Sequence, residues 1–434
     1  MTDSNDPATT TYLSDFFKQL DANVSIWFDW VSVNPIFSAF IAALLFIASG
    51  LAAWVVDKFA DTAWDSFQKR RQRKREVFDE VTSILIPNRT NEAVNNLSSH
   101  DLIEFYQENE VPYSIDIAGT IWQFAGTRVI DPVGIGRIDD QNISMKYHDV
   151  YYQMNDELAA LTADRLEALE KAPKSERLFD GSPFCISQLT LKGEKTIIEV
   201  ERCRYFESLR TNFSMDLVLP STGKSLREMY HGKSRRFEPL GSSPFPNHMG
   251  LVVIIETRDG RIVVQQRSKD VEIRPGTLSA SVSGTFEDDD LNRGPRAFPF
   301  KSALKGLLRE LHAELGGTYA SNMDGLYFTG LIREFRRGGF PDFYFYYQSP
   351  YSFDEIRKNS KTAREVFEIN DLNGHYVGSR ELFEDFDQAL PVFSQRISDL
   401  LQKIEGKANL TLSLGIALYF EMMCKRASAE QSNS

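Results

Sequence analysis

The chain has 434 residues, of which 42% are hydrophobic and 25% charged, and its net charge is −12. This length predicts about three domains, and the composition excludes a collagen-like or disordered chain. The acidic charge argues against a nucleic-acid partner, and three cysteines are too few to indicate a disulfide framework.

The first predicted element is a transmembrane helix. Residues 30–56 form a 27-residue run without a charged side chain, and about 20 helical residues cross a bilayer core. A cleaved signal peptide does not fit, because no basic segment precedes the run. A buried core helix remains the alternative. Six cations between Lys69 and Arg75 follow the run, so residues 1–29 are predicted outside and the bulk of the chain in the cytoplasm.

These features predict a single-pass membrane protein, with membrane lipid as a partner. The basic cluster would contact anionic headgroups, and nucleic-acid binding is the competing interpretation of it. Small residues at four-residue spacing, such as Ser38 with Ala42, favour helix association in lipid. We therefore expect a homo-oligomer, with residues 57–87 forming a basic juxtamembrane helical stalk.

Residues 88–240 are predicted as a cytosolic middle region of mixed α/β structure. The segment 150–172 is rich in Leu, Ala and Glu, and it predicts a helix capped by Asn155. Apolar or alternating stretches at 195–207 and 213–220 predict strands. The sequence of this region carries no motif that points to a chemical reaction.

A segment rich in Gly, Ser and Pro at 240–247 predicts a domain boundary, so that 241–425 forms the last domain. The pair Asp259-Gly260 between two β-branched runs predicts a hairpin. The aromatic run 343–348 predicts a further strand.

The segment 300–317 predicts a helix packed on a sheet, because its leucines recur at helical spacing. Glycines 316 and 317 end this helix. Glu310 and Glu314 lie four residues apart, so both carboxylates share one face of the helix.

This helix reads Arg309-Glu310-Leu311-His312-Ala313-Glu314-Leu315-Gly316. Together with the hairpin and with Ser283-Gly284-Thr285-Phe286-Glu287, it resembles the Nudix family, whose motif ends in Arg-Glu-hydrophobic-x-Glu-Glu-x-Gly. The resemblance covers about 245 to 405. We therefore predict an α+β protein with a single N-terminal transmembrane helix, a mixed α/β middle region and a C-terminal Nudix-like α/β/α sandwich.

The chain departs from the Nudix motif at two of its usual glutamates, where Lys301 and Ala313 stand. In Nudix hydrolases these carboxylates hold Mg²⁺, which neutralises phosphate charge and positions water. Glu310 and Glu314 are retained as the candidate metal ligands, and as the candidate catalytic residues if the protein is a hydrolase. We expect Mg²⁺ only if hydrolysis is retained, and the departures argue that the protein is not an enzyme.

Cations are dense around the eroded motif, and guanidinium groups suit phosphate geometry. A nucleotide could therefore bind by direct charge neutralisation in place of metal. The predicted ligand-binding residues are Arg267, Lys301, Lys305, Arg309, Arg333 and Arg336.

The order of a membrane span, a cytosolic region and a degenerate Nudix domain resembles the TM-NUDIX effectors of bacterial cyclic-oligonucleotide antiphage systems (CBASS). The resemblance implies that a partner CD-NTase makes a cyclic nucleotide, and that the effector binds it in the cytosol. It also implies that the effector oligomerises and disrupts the inner membrane, causing abortive infection.

Two other functions remain open. One is a membrane-anchored Nudix pyrophosphohydrolase acting on a nucleoside diphosphate derivative. The other is a scaffold whose Nudix-like domain binds only protein.

Overall fold

A computed structural model describes residues 97–171, 180–268, 276–287, 290, 297–299, 305–316, 325–363 and 369–433. These residues do not include three predicted segments: the N-terminal segment outside the membrane (1–29), the transmembrane helix (30–56) and the juxtamembrane stalk (57–87). The described helices are α1 (Ser99–Tyr106), α2 (Asp156–Leu161), α3 (Ala163–Lys171), α4 (Tyr205–Arg210), α5 (Leu226–Tyr230), α6 (Lys305–Leu315), α7 (Phe353–Ser360), α8 (Glu381–Glu384), α9 (Phe386–Ile404) and α10 (Leu410–Asn433).

The described strands belong to four sheets. They are β1 (Tyr113–Ile117), β2 (Thr120–Phe124), β3 (Gly126–Ile130), β4 (Ile143–Tyr151), β5 (Phe184–Lys192), β6 (Lys195–Arg202), β7 (Val218–Leu219), β8 (Lys224–Ser225), β9 (Gly250–Glu256), β10 (Arg261–Arg267), β11 (Leu278–Ser279), β12 (Val282–Thr285), β13 (Ala297–Pro299), β14 (Leu326–Glu334), β15 (Phe340–Gln348) and β16 (Ile369–Tyr376).

The largest sheet has eight strands in the order β11-β10-β9-β15-β14-β3, with β12 paired to β9 and β16 paired to β10. Strands β9 and β15 are parallel, and their neighbours in this sheet pair antiparallel. A second sheet has the order β13-β4-β6-β5. Two hairpins, β1-β2 and β7-β8, complete the described sheets.

The core has two parts, one on each face of the eight-stranded sheet. On one face, leucines of α6 pack with the four-stranded sheet, which contributes Ile198 and Val200. On the other face, α9 and α10 pack with the β1-β2 hairpin, and Tyr419 of α10 is fully buried. Both faces are apolar because the central strands are flanked by protein on each side.

The fold class predicted from the sequence is wrong. The described residues form an α+β structure of several sheets, and none of their helices is both long and apolar enough to cross a membrane. The longest, α10, carries Glu421, Lys425 and Arg426 and lies in the protein core. The four-stranded sheet against one face and β3 at the edge also depart from a simple α/β/α sandwich.

Long-range strand pairing explains this difference. Strand β3, from the predicted middle region, pairs antiparallel with β14 of the predicted Nudix-like domain. A Cβ atom on Gly126 would lie 2.9 Å from Ile332 Cγ2, so the two strands approach at a glycine. Hydrophobic periodicity reports only local neighbours, and it therefore carried no sign of this pairing.

The local predictions had mixed outcomes. The helix predicted at 150–172 forms as α2 and α3, and Asn155 caps it by accepting the Leu158 N–H at 2.8 Å. Strand β6 is confirmed, whereas only Val218–Leu219 of the strand predicted at 213–220 is extended. Strands β9 and β10 flank the predicted Asp-Gly turn, but they share one residue pair and otherwise pair with other strands.

Candidate functional site

The predicted motif helix, α6, places Arg309 beside three acidic side chains, those of Glu287, Asp290 and Glu310. The Arg309 guanidinium donates to Asp290 at 2.9 and 3.0 Å and to Glu310 Oε1 at 2.9 Å. Glu287 lies 3.9 Å away, and the Thr285 carbonyl accepts a further bond at 3.0 Å. We call Glu287, Asp290, Arg309, Glu310 and Glu314 the carboxylate cluster.

The two motif glutamates also contact strand β12. Glu314 accepts the Gln265 side-chain amide at 2.6 Å and the Ser283 N–H at 3.4 Å. Glu310 accepts the Thr285 N–H at 3.4 Å. Both are buried, and a Cβ atom on Gly284 would lie only 2.2 Å from the Glu310 carboxyl carbon. Glycine at this position therefore allows the helix to approach the strand.

Arg309 is held in the carboxylate cluster by direct bonds to two of the four carboxylates, Asp290 and Glu310. Burial acts to lower the pKa of Arg309, but bonding to Asp290 and the charge of Glu310 outweigh it, and the pKa is raised. Among the described residues, no group of three or more acidic, His or Cys side chains is arranged to hold a metal ion. Because a guanidinium contacts Asp290 and Glu310 together, this donor set does not fit the expected Mg²⁺.

The structure distributes the other predicted ligand-binding residues over separate elements. Arg267 ends β10 and is half-buried, and Lys305 is exposed at the first residue of α6. Arg336 donates to the Leu97 carbonyl at 2.9 Å. Lys301 lies outside the described residues. Arg309 contacts Glu310 directly, and Arg333 lies on β14.

Arg333 borders a cavity of about 520 Å³, which we call the first cavity. It lies between the sheet edge at β3 and β14, strand β5 and the 3₁₀ turn at Leu240–Ser242. Its lining combines polar and apolar groups: Glu110, Thr127, Arg128, Val129, Ser187, Gln188, Leu189, Pro239, Leu240, Gly241, Ser242 and Arg333.

The Arg333 guanidinium is buried and bonded to main-chain oxygens. It donates to the Gly339 carbonyl at 2.8 Å and to the Glu238 carbonyl at 2.7 Å, and it lies 4.8 Å from the centre of the Phe237 ring. None of the ion pairs among the described residues includes Arg333. Burial lowers its pKa to about 10, since the charged form lacks a neutralising contact.

Glu110 supplies the acidic group of the first cavity. Its carboxylate accepts the Phe237 N–H at 2.7 Å, and burial raises its pKa. Its charge helps to hold the pKa of Arg333 up, but burial has the larger effect. The first cavity therefore contains a buried cation that its surroundings only partly neutralise.

Sequence reasoning identified Arg333 but missed Glu110 and Arg128. Arg128 lies on β3 and pairs with Glu421 of α10 at 2.6 Å. Arg128 reaches the cavity wall because β3 joins the sheet edge beside β14, and Glu110 reaches it beside Phe237, whose N–H it accepts. No local motif around either residue signals that placement.

Comparisons with known proteins leave the family open. No family model matches the chain, and no curated protein matches it. Among solved structures, DR0079 from Deinococcus radiodurans matches over 35% of this chain and 83% of its own, at 12% identity and a TM-score of 0.22. A TM-score this low supports no inference about fold or activity.

Proposed function

We propose that the protein binds a phosphate-bearing nucleotide in the first cavity and does not hydrolyse it. The observation that carries the proposal is Arg333, a buried guanidinium that borders a cavity of about 520 Å³ with only carbonyl hydrogen-bond partners described. An anion in this cavity would gain a charge-assisted contact with a cation that has already lost its water.

The size and lining of the cavity agree with a small organic ligand. Ligand cavities are commonly about 300–1,000 Å³, with apolar walls and a few polar groups that fix orientation. Here Val129, Leu189 and Leu240 provide apolar surface, and Ser187 and Ser242 add hydroxyl groups. A nucleotide combines the apolar and anionic parts that such a lining would contact.

The carboxylate cluster supports binding without hydrolysis. Its Arg309 forms the contacts with Asp290 and Glu310 that a divalent cation would need. A metal-assisted attack on a phosphoanhydride requires a metal to neutralise charge and position water. The arrangement instead suits a structural role for α6 against β12.

The identity of the nucleotide follows from the resemblance stated above and is part of the proposal. On that basis the ligand would be a cyclic nucleotide from a CD-NTase, and binding would activate an antiphage effector. A ligand drives such a response only if it binds one state of the protein more tightly than another. The proposed binding step itself requires no membrane span.

Calorimetric titration of the full-length protein tests the proposal, with cyclic di-AMP, cyclic di-GMP, cyclic tri-AMP and ATP as probes. We expect at least one to bind, and Arg333→Gln to weaken that binding tenfold or more. Arg165→Gln is the matched control, because Arg165 is also buried and donates only to carbonyls, at 2.9 to 3.3 Å. Arg165 does not line the first cavity.

The control should bind within about twofold of the wild type. Absence of binding by every probe, or equal loss in the two variants, would remove the proposal. Magnesium-dependent turnover of ATP would favour the pyrophosphohydrolase instead.

A further inference from the structure

The first cavity contains a carboxylate as well as a cation. Glu110 and Arg333 both line it, and one main-chain segment holds both side chains. The Glu110 Oε1 accepts the Phe237 N–H at 2.7 Å, and the Arg333 Nη1 donates to the carbonyl of the next residue, Glu238, at 2.7 Å. The two side chains therefore have a common support at the wall of the cavity.

Further contacts fix each of the two groups. Asn109 donates its side-chain amide to the Ser234 carbonyl at 3.1 Å, so the turn that carries Glu110 has a second attachment. Arg333 is confined by Gly339, where a Cβ atom would lie 2.7 Å from its Nη2. Because both groups are already held in place, little conformational entropy is lost when a ligand contacts them.

The Glu110 carboxylate can accept a donor from a ligand. Within the described part of the chain, the Phe237 N–H is its one hydrogen-bond donor, and it forms no ion pair with Arg333. Burial raises its pKa, and the Phe237 N–H and the charges of Arg333 and Arg236 act against that rise. An ionised carboxylate offers about four acceptor positions on its two oxygens, so a partly buried one gains from a further donor.

This pair of groups restricts the kind of anion that can contact Arg333. A ligand that presents only acceptor oxygens would bring its charge close to Glu110 and gain nothing from that carboxylate. A ligand with a hydroxyl group beside its anionic oxygens would form a charge-assisted hydrogen bond with each residue. An analogue without the hydroxyl leaves the carboxylate unpaired, and such a site rejects it.

A ribonucleotide carries this combination on one sugar. A phosphate on the 3′-oxygen and the 2′-hydroxyl lie on adjacent carbons, so the anion and the donor form a single compact group. A 2′-deoxyribonucleotide keeps the phosphate, the base and the ring but lacks the donor. Carboxylates recognise ribose hydroxyls in the same way in dinucleotide-binding folds.

We propose that Glu110 is the specificity-determining residue of the first cavity, and that it accepts a hydrogen bond from the ribose 2′-hydroxyl beside the phosphate that contacts Arg333. The proposal rests on the proposed function and adds that the ligand is a ribonucleotide with its phosphate on the 3′-oxygen. The carboxylate acts as a hydrogen-bond acceptor, and no bond of the ligand is broken.

Calorimetric titration of the full-length protein tests the proposal with 3′-AMP and 2′-deoxy-3′-AMP, and with the corresponding guanosine pair. In the wild type, we expect the ribonucleotide of at least one pair to bind about tenfold or more tightly than its deoxy analogue. Glu110→Gln keeps an acceptor for the Phe237 N–H and removes the charge. This variant should bring the ratio to within about threefold of unity, and it should bind the deoxy analogue at least as tightly as the wild type does.

Glu108→Gln is the matched control, because Glu108 lies in the same turn, is exposed and does not line the first cavity. It removes the same charge and should keep the wild-type ratio. An equal loss of the ratio in both variants would mean that net charge, and not a contact with Glu110, sets the preference, and it would overturn the proposal.

The outcomes separate this proposal from the proposed function. Equal affinity of the wild type for both members of each pair overturns the role of Glu110 without any variant, and the proposed function stands if Arg333→Gln weakens both members. Binding that does not respond to Arg333→Gln overturns the proposed function. If these four probes do not bind at millimolar concentration but a cyclic nucleotide binds through Arg333, only the role of Glu110 fails; if no nucleotide binds, both proposals fail.

Discussion

The carboxylate cluster and the first cavity both contain a partly or fully buried arginine, but they neutralise it differently. Arg309 contacts Asp290 and Glu310, and these acidic neighbours raise its pKa. Arg333 contacts two carbonyls, and burial lowers its pKa to about 10. A charge that already has a partner contributes to the fold, whereas one that lacks a partner beside a cavity can attract a ligand.

The two regions also differ in how visible they are in the sequence. The Nudix-like motif marks the region with the most recognisable residue pattern, yet its carboxylates are bonded to Arg309, Gln265 and β12. The first cavity has no motif and is assembled from distant strands. Under the proposed function, the ligand would therefore bind beside the buried charge of Arg333 rather than at the recognisable motif.

The largest effect is expected from breaking the carboxylate cluster. Arg309→Met leaves Asp290 and Glu310 without their cation, and removing one partner of a largely buried pair costs about 3 kcal/mol. Urea unfolding should show this loss in the free energy of unfolding.

The triple variant Arg309→Met, Asp290→Asn, Glu310→Gln is the control, since it removes the uncompensated charges as well. It should recover more than half of the lost stability. A neutral Arg309→Met would show that the cluster is not held by its arginine.

The second prediction compares two arginines, Arg165 and Arg333, whose pKa values burial lowers to a similar extent. Burial lowers the pKa of Arg165 and of Arg333 to about 10 in each case. Arg165 donates to three carbonyls and Arg333 to two, and each unsatisfied buried group costs about 1–3 kcal/mol. Arg165→Gln should therefore destabilise the protein more than Arg333→Gln in urea unfolding.

Pyrophosphate sharpens this second comparison, because an anion that binds only the folded state raises the melting temperature. Pyrophosphate should raise the melting temperature of the wild type and of Arg165→Gln, but it should not raise the melting temperature of Arg333→Gln. An equal rise in all three proteins would place the anion elsewhere.

Local structure was predictable where neighbours in sequence determine it. The leucine stripe of α6 is confirmed, with Leu307, Leu311 and Leu315 buried and Gly316 following at a φ of +65°. The Asn155 cap is confirmed as well. Both depend on contacts between residues a few positions apart, which periodicity and capping preferences describe.

The cavity could not be predicted, because it depends on contacts between residues more than 200 positions apart. Arg333 faces Thr127, and Arg128 bonds to Glu421.

The segment 213–220 also shows that a local sequence pattern does not determine structure where tertiary packing acts. Its apolar pattern predicts a strand, but Met215 and Leu219 are buried in a cluster with Phe245, and only two residues are extended. Tertiary packing overrides the local preference there.

The third prediction concerns the Arg128–Glu421 ion pair, whose arginine is bonded to carboxylates as Arg309 is, although Arg128 also borders the first cavity. Burial acts to raise the pKa of Glu421, but its bond with Arg128 outweighs this effect and lowers the pKa from 4.5 to about 2. A depressed carboxyl pKa adds stability above the unfolded value, and that stability is lost as pH falls through the folded value.

The free energy of unfolding of the wild type should therefore exceed that of Glu421→Gln by about 2 kcal/mol at pH 7. The excess should shrink between pH 4.5 and pH 2. A constant difference over that range would mean that Glu421 acts through packing alone.

The smallest effect is expected from adding magnesium, which tests directly whether Arg309 already occupies the carboxylate cluster. Because Arg309 already contacts Asp290 and Glu310, 10 mM Mg²⁺ should change the melting temperature of the wild type by less than about 1 °C; the ion would have to displace a bonded guanidinium. Arg309→Met removes the bonded guanidinium from the same carboxylates, so Mg²⁺ should raise its melting temperature more than that of the wild type. A rise of several degrees in the wild type that disappears in Glu310→Gln would show that the cluster binds metal as it stands, and the contrast between the two regions would then fail.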